Sequence, residues 1–364
     1  MINLVKSLLS LVNFYKLSPT WKEIVFFSEG SSYYSVFEQI ITDLLNSKKK
    51  IIYITADNND KIYLIKNHNL KIFYSKNIYT HILFLNFIKC KNLIMTMPDL
   101  DSFEIKKSNN VEKYIYLFHS LVSCHMIYRN KAFHNFDLIH CSTYSQYKEL
   151  TELKNYYNSR YELLKTGYQK IDNISKNYIS NNVIKKSVVI APSWGDKNIL
   201  NTCLEELISV LIKNSYNVTL RPHNQFIKNN NQIINKLKSL HGNKHLSIDS
   251  GNSEFTHLLN SEFLITDWSG ISMEYAFITY RPVIFINTPK KINNKKFNEI
   301  NLEPTESKIR SRIGIEVNLD EIHLIPNILN RLNNTSYKEN ILKIKNQLLI
   351  DNKEFTEKFF KSLN

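Results

Sequence analysis

Between about residue 23 and residue 290, short apolar runs rich in β-branched and aromatic residues alternate with segments of helical periodicity. The alternation occurs as two series. A parallel sheet is what such a pattern builds, because each crossover between parallel strands needs a dozen or more residues and a helix fills that length compactly. The first series reads as strands EIVFFS (23–28), KIIYIT (50–55), LKIFY (70–74), NLIMT (92–96), YIYLFHS (114–120) and FDLIHCS (136–142). Helices fall between them, notably over Tyr33–Asn46 and Tyr144–Tyr157. The second series follows the polar stretch Asp172–Lys186 and reads as SVVIAPS (187–193), YNVTLRPH (216–223), HLSID (245–249), EFLITD (262–267) and RPVIFIN (281–287). Helices over Ile199–Asn214, Gln232–Leu240, Ser253–Asn260 and Ile271–Ile278 separate its strands.

This organisation predicts an α/β protein of two Rossmann-like domains, residues 21–170 and 187–330, facing each other across a cleft and joined by a linker at 171–186. Residues 1–20 stand apart as an amphipathic segment and 331–364 as C-terminal helices, while the basic, polar stretch 292–312 reads as a loop. A chain of 364 residues has ample length for two cores of this kind. Only 7 glycines are present, and neither a Walker-type nor a dinucleotide-type glycine-rich loop occurs. Any phosphate must therefore be recognised by side chains and helix N-termini.

Lys and Arg number 47 against 33 Asp and Glu, a formal charge of +14. Two readings of the excess stay open: a solvated basic surface, or attraction to an anionic membrane or a polyanionic substrate. Nucleic acid is not expected as a partner, since no Arg-rich stripe or recognition module appears. The four cysteines, Cys90, Cys124, Cys141 and Cys203, form no CxxC pair. That fits neither a zinc site nor a disulfide framework and points to a reducing cytoplasm. Near the N-terminus Leu4, Leu8, Leu9 and Val12 share one helical stripe. It is too short to span a bilayer, and either packs on the protein or lies on a membrane.

In open α/β sheets ligands sit at the carboxyl ends of the strands, so polar residues directly after strands are the candidates for chemistry. The strongest group lies in LITDWSGISMEYAF (264–277), where a strand ends at Thr266-Asp267 and a helix starts at Ser269-Gly270. Unpaired N–H groups and the helix dipole make that start an anion site, Gly270 permits close approach, and Ser269 adds a hydroxyl. Glu274, one turn on, is placed to accept from ribose hydroxyls. Alternatively Asp267 or Ser269 is an N-cap and Glu274 merely complements the dipole. Arg221 and His223, after YNVTL, suit a pyrophosphate, although Arg221 could equally pair with a carboxylate. Ser193, in APSWG (191–195), either lines the same site or belongs to a tight turn.

In the first series His119 follows the strand YIYLF and faces the cleft, where an imidazole can take a proton from an acceptor hydroxyl. Ser120 and Arg129 lie close by as acceptor contacts, Arg129 being suited to a phosphate; His125 and His134 are weaker candidates. Ser28-Glu29-Gly30-Ser31 reads as a capping turn or as a further acceptor contact. No Asp-x-Asp pair lies near the strands of the second series, where the donor is expected, so neither a catalytic metal nor another cofactor is expected.

Six segments in one order resemble the CDP-glycerol glycerophosphotransferase family, the teichoic-acid primase- and polymerase-like enzymes, in the short form of capsule and surface-polysaccharide loci. They are FHSLVSCHMIYR, FDLIHCSTYSQ, LLKTGYQKID, VVIAPSWG, VTLRPH and LITDWSGISMEYAFITYRPVIF, within roughly residues 110–290. The resemblance implies a GT-B fold, a CDP-activated donor in the C-terminal domain, an acceptor on the N-terminal domain and an inverting in-line transfer. His119 matches the family's N-terminal histidine, the proposed general base, and His223 the histidine that contacts the donor pyrophosphate. Thr266, Asp267, Ser269 and Gly270 match its strand-to-helix phosphate motif. The chain departs from the pattern in three places. Ser120 stands where many members have Gly, Gly270 where many have a second Ser, and Glu274 where many have Asp.

The implied reaction moves a glycerol phosphate, or a related polyol phosphate, from CDP-glycerol or a similar donor to a hydroxyl of a cell-surface glycan or lipid-linked acceptor, releasing CMP. The implied location is the cytoplasm, with attachment to the inner face of the membrane left open. Rival readings are a GT-B glycosyltransferase using a UDP-, CMP- or CDP-sugar, and a non-catalytic nucleotide- or glycan-binding scaffold. A sugar-nucleotide epimerase would instead turn over its nucleotide without an acceptor.

Overall fold

The computed structural model describes residues 2–75, 78–222, 239, 245–249, 255–332 and 337–364. The apolar runs become strands because helices cover both faces of each sheet, leaving no solvated side to demand polar alternation. In the first lobe β1 (Ile24–Ser28), β2 (Ile51–Thr55), β3 (Leu70–Tyr74), β4 (Cys90–Met95), β5 (Val111–Leu117), β6 (Leu138–Cys141) and β7 (Glu162–Lys165) form a wholly parallel sheet in the order β3-β2-β1-β4-β5-β6-β7. Phe26 at its centre is in register with Tyr53 on one side and Ile94 on the other. In the second lobe β8 (Ile184–Ile190), β9 (Asn217–Leu220), β10 (Leu246–Ile248), β11 (Ser261–Thr266), β12 (Val283–Ile286) and β13 (Gly314–Val317) repeat the winding as β10-β9-β8-β11-β12-β13. Each sheet reverses its direction of growth once, beside β1 in the first and beside β8 in the second. A crevice opens at the carboxyl ends of the strands at such a reversal.

Around the first sheet lie α1 (Ile2–Tyr15), α2 (Tyr34–Asn46), α3 (Ile78–Phe87), α4 (Cys124–Ile127), α5 (Tyr144–Tyr157) and α6 (Gln169–Asn177). The second sheet carries α7 (Ile199–Thr202), α8 (Leu204–Lys213), α9 (Thr256–Asn260), α10 (Ile271–Thr279) and α11 (Thr305–Ile313). Three more helices follow: α12 (Ile325–Leu332), α13 (Lys338–Leu348) and α14 (Phe355–Ser362). The last of these returns to the first lobe. Phe355, Phe359 and Leu363 are buried in one cluster with Phe37, Ile41 and Tyr53, and Asn92 Nδ2 donates to the Leu363 carbonyl at 3.0 Å.

Several expectations are corrected. The stretch 292–312 is not loop throughout, because α11 starts at Thr305 and leads into β13, the sixth strand of its sheet. The strand expected over 114–120 ends at Leu117, and β7 is an additional edge strand. The helix expected over Ile199–Asn214 breaks at Cys203, whose φ of −137° is not helical. Part of the expected linker is structured, with α6 running to Asn177 and β8 beginning at Ile184. The helix expected over Gln232–Leu240 falls almost wholly outside the described residues.

Because Phe359 is fully buried against α2 and β2, Phe359→Ala should destabilise the first lobe by about 3–5 kcal/mol. A shift of its denaturation midpoint to lower denaturant measures the loss.

Candidate active site between the two sheets

The carboxyl ends of the two sheets face each other across a cleft of about 760 Å³. The first lobe contributes Glu29, Tyr33, His119, Ser120 and Arg129; the second contributes Ser193, Trp194, Arg221, Trp268, Ser269, Gly270, Glu274 and Lys291. Of the residues expected from sequence, Thr266 and Asp267 are placed differently and His223 lies outside the described residues.

His119 sits just beyond β5, half-buried, with Nδ1 3.3 Å from the Thr96 carbonyl. A carbonyl only accepts, so Nδ1 carries a proton, and in the neutral form of the ring Nε2 is the nitrogen with the lone pair. The Tyr33 ring meets the imidazole edge-on at a centroid distance of 5.2 Å. Behind it, the hydroxyl of Tyr168 lies 2.8 Å from the His119 carbonyl and 2.6 Å from Glu274 Oε1, its single proton shared between two acceptors. Lys170 Nζ donates to the same Glu274 oxygen at 2.9 Å. Glu274 therefore lines the cleft as expected, but one of its oxygens ties α10 to the strand end that carries His119.

Asp267 does not reach the cleft. Its Oδ1 accepts from the Ser193 and Trp268 amides, both at 2.7 Å, and its Oδ2 from the Ile199 amide at 3.0 Å. Thr266 is fully buried and its hydroxyl donates to the Ala191 carbonyl at 2.6 Å. The expectation that these two bind the donor is corrected on that ground: their polar atoms are engaged in joining β11 to the loop after β8. Arg310, buried in α11, completes the joint by donating to the Asp267 carbonyl at 2.8 Å while its guanidinium stacks on Trp268 at 4.1 Å.

Among the described residues no side-chain hydrogen bond caps α10, and the Asp267 carboxylate is engaged elsewhere. Ser269 and Gly270 face the cleft there. Gly270 is required by its neighbour rather than by its own torsions: a Cβ at this position would collide with Ser120 Oγ and lie 2.7 Å from Val122 Cγ1. Arg221 also lines the cleft, yet its NH1 donates to Asp249 Oδ2 at 2.6 Å, the carboxylate pairing that its sequence position left open. The exposed Arg129 guanidinium covers the Phe103 ring at 4.5 Å.

Two titratable groups in the cleft were not singled out from sequence. Glu29, at the carboxyl end of β1, is open to cleft water but walled in by protein, and this crowding pushes its carboxyl up to about 7. Lys291, whose ammonium stands 4.4 Å over the Trp194 ring, is lowered to about 8 by burial against the opposing attraction of Asp267 and Glu306. Its loop is fixed to the first lobe, with the Asn293 and Asn294 amides donating to the Met126 carbonyl at 3.1 and 3.2 Å. His125 is structural: burial opposes its charge but the Glu149 carboxylate at 3.0 Å outweighs it and raises its pKa, while Nε2 meets the Leu302 carbonyl at 3.0 Å. His134 pairs with Ser159 at 2.9 Å and does not line the cleft.

The sequence pattern of the family described as CDP-Glycerol:Poly(glycerophosphate) glycerophosphotransferase matches residues 11–296. The chain belongs to this family. Among solved structures, the wall teichoic acid polymerase TagF superimposes with a TM-score of 0.60 at 16% identity, covering 100% of this chain and 97% of that one. TagF soaked with CDPG gives 0.58 at 15% identity, over 99% and 96% of the two chains. The UDP-GlcNAc 2-epimerase of Methanocaldococcus jannaschii, in complex with UDP-GlcNAc and UDP, gives 0.59 at 14% identity over 93% and 99%. No curated protein matches the chain significantly. These likenesses establish a GT-B arrangement, and family membership makes the protein a glycerophosphotransferase-type enzyme.

Across the seam beside this glycerophosphotransferase cleft, Glu306 Oε1 accepts from the Ser123 amide at 2.9 Å, and Oε2 is buried with no hydrogen-bond partner among the described residues. Burial pushes its carboxyl from 4.5 up to about 7. A folded-state value above the unfolded one means stability that is complete below the unfolded value and is lost as pH rises through about 7. Glu306→Gln should therefore gain on the wild type between about pH 5 and about pH 8, by up to about 3 kcal/mol. Denaturation midpoints at the two pH values measure it.

Proposed function

We propose that the protein transfers glycerol phosphate, or a related polyol phosphate, from a CDP-activated donor to a hydroxyl of a cell-surface glycan or lipid-linked acceptor and releases CMP. The donor lies over the second sheet with its pyrophosphate at the open N-terminus of α10, where Ser269 and the first amides of the helix receive it. The acceptor enters along the first lobe past Arg129. His119 Nε2 takes the proton of the acceptor hydroxyl as its oxygen attacks the polyol-bearing phosphorus. The new O–P bond forms as the P–O bond to CMP breaks, and the charge gathering on CMP is met by the helix amides. Lys291 stands on the same side as a cation for that charge.

What carries this reading is the approach of the lobes at one point: Ser120, next in the chain to His119, touches Gly270 at the head of α10. A proton acceptor of the right tautomer is thus held one residue from an open anion site. His119→Ala should lower transfer by about 10²–10⁴-fold with donor affinity almost unchanged, read by CMP release and by calorimetric titration of CDP-glycerol. A nucleoside diphosphate in place of CMP, or loss of donor affinity in this variant, would count against the assignment.

The same reading places the enzyme at the cytoplasmic face of the membrane, bound peripherally. No helix among the described residues is long and apolar enough to cross a membrane. On α1, Ser10 Oγ accepts from the Tyr74 amide at 3.2 Å and Phe14 is fully buried, so one stripe packs on the protein. Val5, Leu8, Leu9 and Val12 remain exposed, and Tyr15 Oη, donating to the Phe87 carbonyl at 2.6 Å, links them to exposed Tyr79, Leu83 and Phe87 of α3. Exposed Lys6, Lys16 and Lys89 lie in or beside these helices. Apolar side chains ringed by cations suit an anionic bilayer surface. Leu8→Glu with Leu9→Glu should abolish co-sedimentation with anionic vesicles at low salt while CMP release from CDP-glycerol in solution persists.

A further inference from the structure

We propose that Tyr168 is a positioning residue for His119: with Glu274 and Lys170 it fixes the backbone of the proton acceptor to α10, a helix of the donor lobe. This rests on the transfer reading above and adds to it the part that sets the spacing between base and donor.

The clamp is a set of contacts across the seam. The Tyr168 hydroxyl stands between two oxygens, 2.8 Å from the His119 carbonyl and 2.6 Å from Glu274 Oε1. Lys170 Nζ donates to the same carboxylate oxygen at 2.9 Å. Tyr168 and Lys170 come from the first lobe and Glu274 from the second. All three are buried, at 4%, 7% and 5% exposure, so water competes little for these bonds and the two charges compensate each other. Burial, and after it the Glu274 carboxylate, hold the Tyr168 phenol well above its ordinary value and keep it a donor. The clamp is itself anchored. The Thr166 and Gly167 amides donate to the Cys141 carbonyl at 3.1 and 3.2 Å, tying the turn before Tyr168 to the end of β6. At Gly167, whose φ is +87°, a Cβ would stand 2.6 Å from Asn352 Cβ and 2.7 Å from the Ile350 carbonyl. The returning C-terminal segment thus lies directly against that turn.

His119 is held in two ways that do different jobs. Thr96 and Tyr33 orient its ring. Tyr168 holds its main-chain carbonyl, and so sets where the ring is attached relative to the second lobe. β5 ends at Leu117, and His119 stands beyond the regular ladder. Glu274 lies one turn along α10 from Gly270, about 6 Å down the helix axis. One rigid helix therefore presents its first turn to the donor and its second to the strand end that carries the base. Proton transfer needs close heavy-atom approach, and a misplacement of about 1 Å can cost about 100-fold.

The test is a pair of mutant cycles on the full-length chain. Tyr168→Phe and Glu274→Asp are each made alone and together with His119→Ala. Single-turnover CMP release from saturating CDP-glycerol, CMP affinity and the NMR signal of the His119 ring are measured. Tyr168→Phe removes only the hydroxyl, and Glu274→Asp draws the carboxylate back by one methylene. Each should slow release by about 10- to 100-fold with CMP affinity almost unchanged. Combined with His119→Ala, neither should slow it further, because the group they position is gone. The His119 signal, assigned by its disappearance in His119→Ala, should move in both single variants while that of His134 stays. A contact that merely supported the fold would slow both backgrounds by the same factor, and that result would overturn the proposal. So would wild-type release in both single variants, or a His119 signal unmoved in both. Should Tyr168→Phe not fold, Glu274→Asp decides by the same measures. A wild type that binds CMP but never releases it from CDP-glycerol would fail the transfer reading instead, and the His119 signal then decides the positioning.

Discussion

A single buried carboxylate holds the donor side of this enzyme together. Asp267 gathers amides from Ser193, Ile199 and Trp268, which belong to separate turns at the ends of neighbouring strands. Burying a charge is costly unless every lone pair finds a donor, and here amides supply them. Once the two turns are joined in this way, neither Asp267 nor Ser269 caps α10. The helix start stays open because the residue best suited to close it is committed elsewhere. Arg310 reinforces the joint from beneath, stacked on the indole of Trp268.

The fold was legible because its strands are long apolar runs bounded by polar turns, a signal that survives without knowledge of neighbours. It failed where burial involves charge. In α11, TESKIRSRI, the buried residues include Glu306 and Arg310 alongside Ile309 and Ile313, so its inward face reads as polar. β13 is four residues long with a glutamate within it, and Gly314 is forced by the Val283 carbonyl of the adjoining strand, a neighbour no local pattern reveals. At the site, position after a strand identified the right segments, since that rule follows from topology alone. It could not tell Ser269, which faces the cleft, from Asp267 two residues earlier, which does not.

Pairings across the seam were the least legible part. Tyr168 and Lys170 reach Glu274 from far along the chain, and nothing near Glu274 in sequence announces them. The departures from the family pattern at Ser120 and Gly270 looked like two separate oddities, and the structure makes them one. They face each other, and a side chain at 270 would meet both Ser120 Oγ and Val122 Cγ1. Lys291 and Glu29 went unremarked because their shifted proton affinities come from enclosure, which only the folded chain creates.

The route of the chain has a consequence for how the protein is made. Phe355 and Phe359 fill the core of the lobe that begins the sequence, so the second lobe is threaded between two portions of the first. During synthesis the earlier lobe must wait, its central sheet partly uncovered on one face, while the later lobe emerges and can close around its own strands. The half built first is completed only after the second lobe has been made.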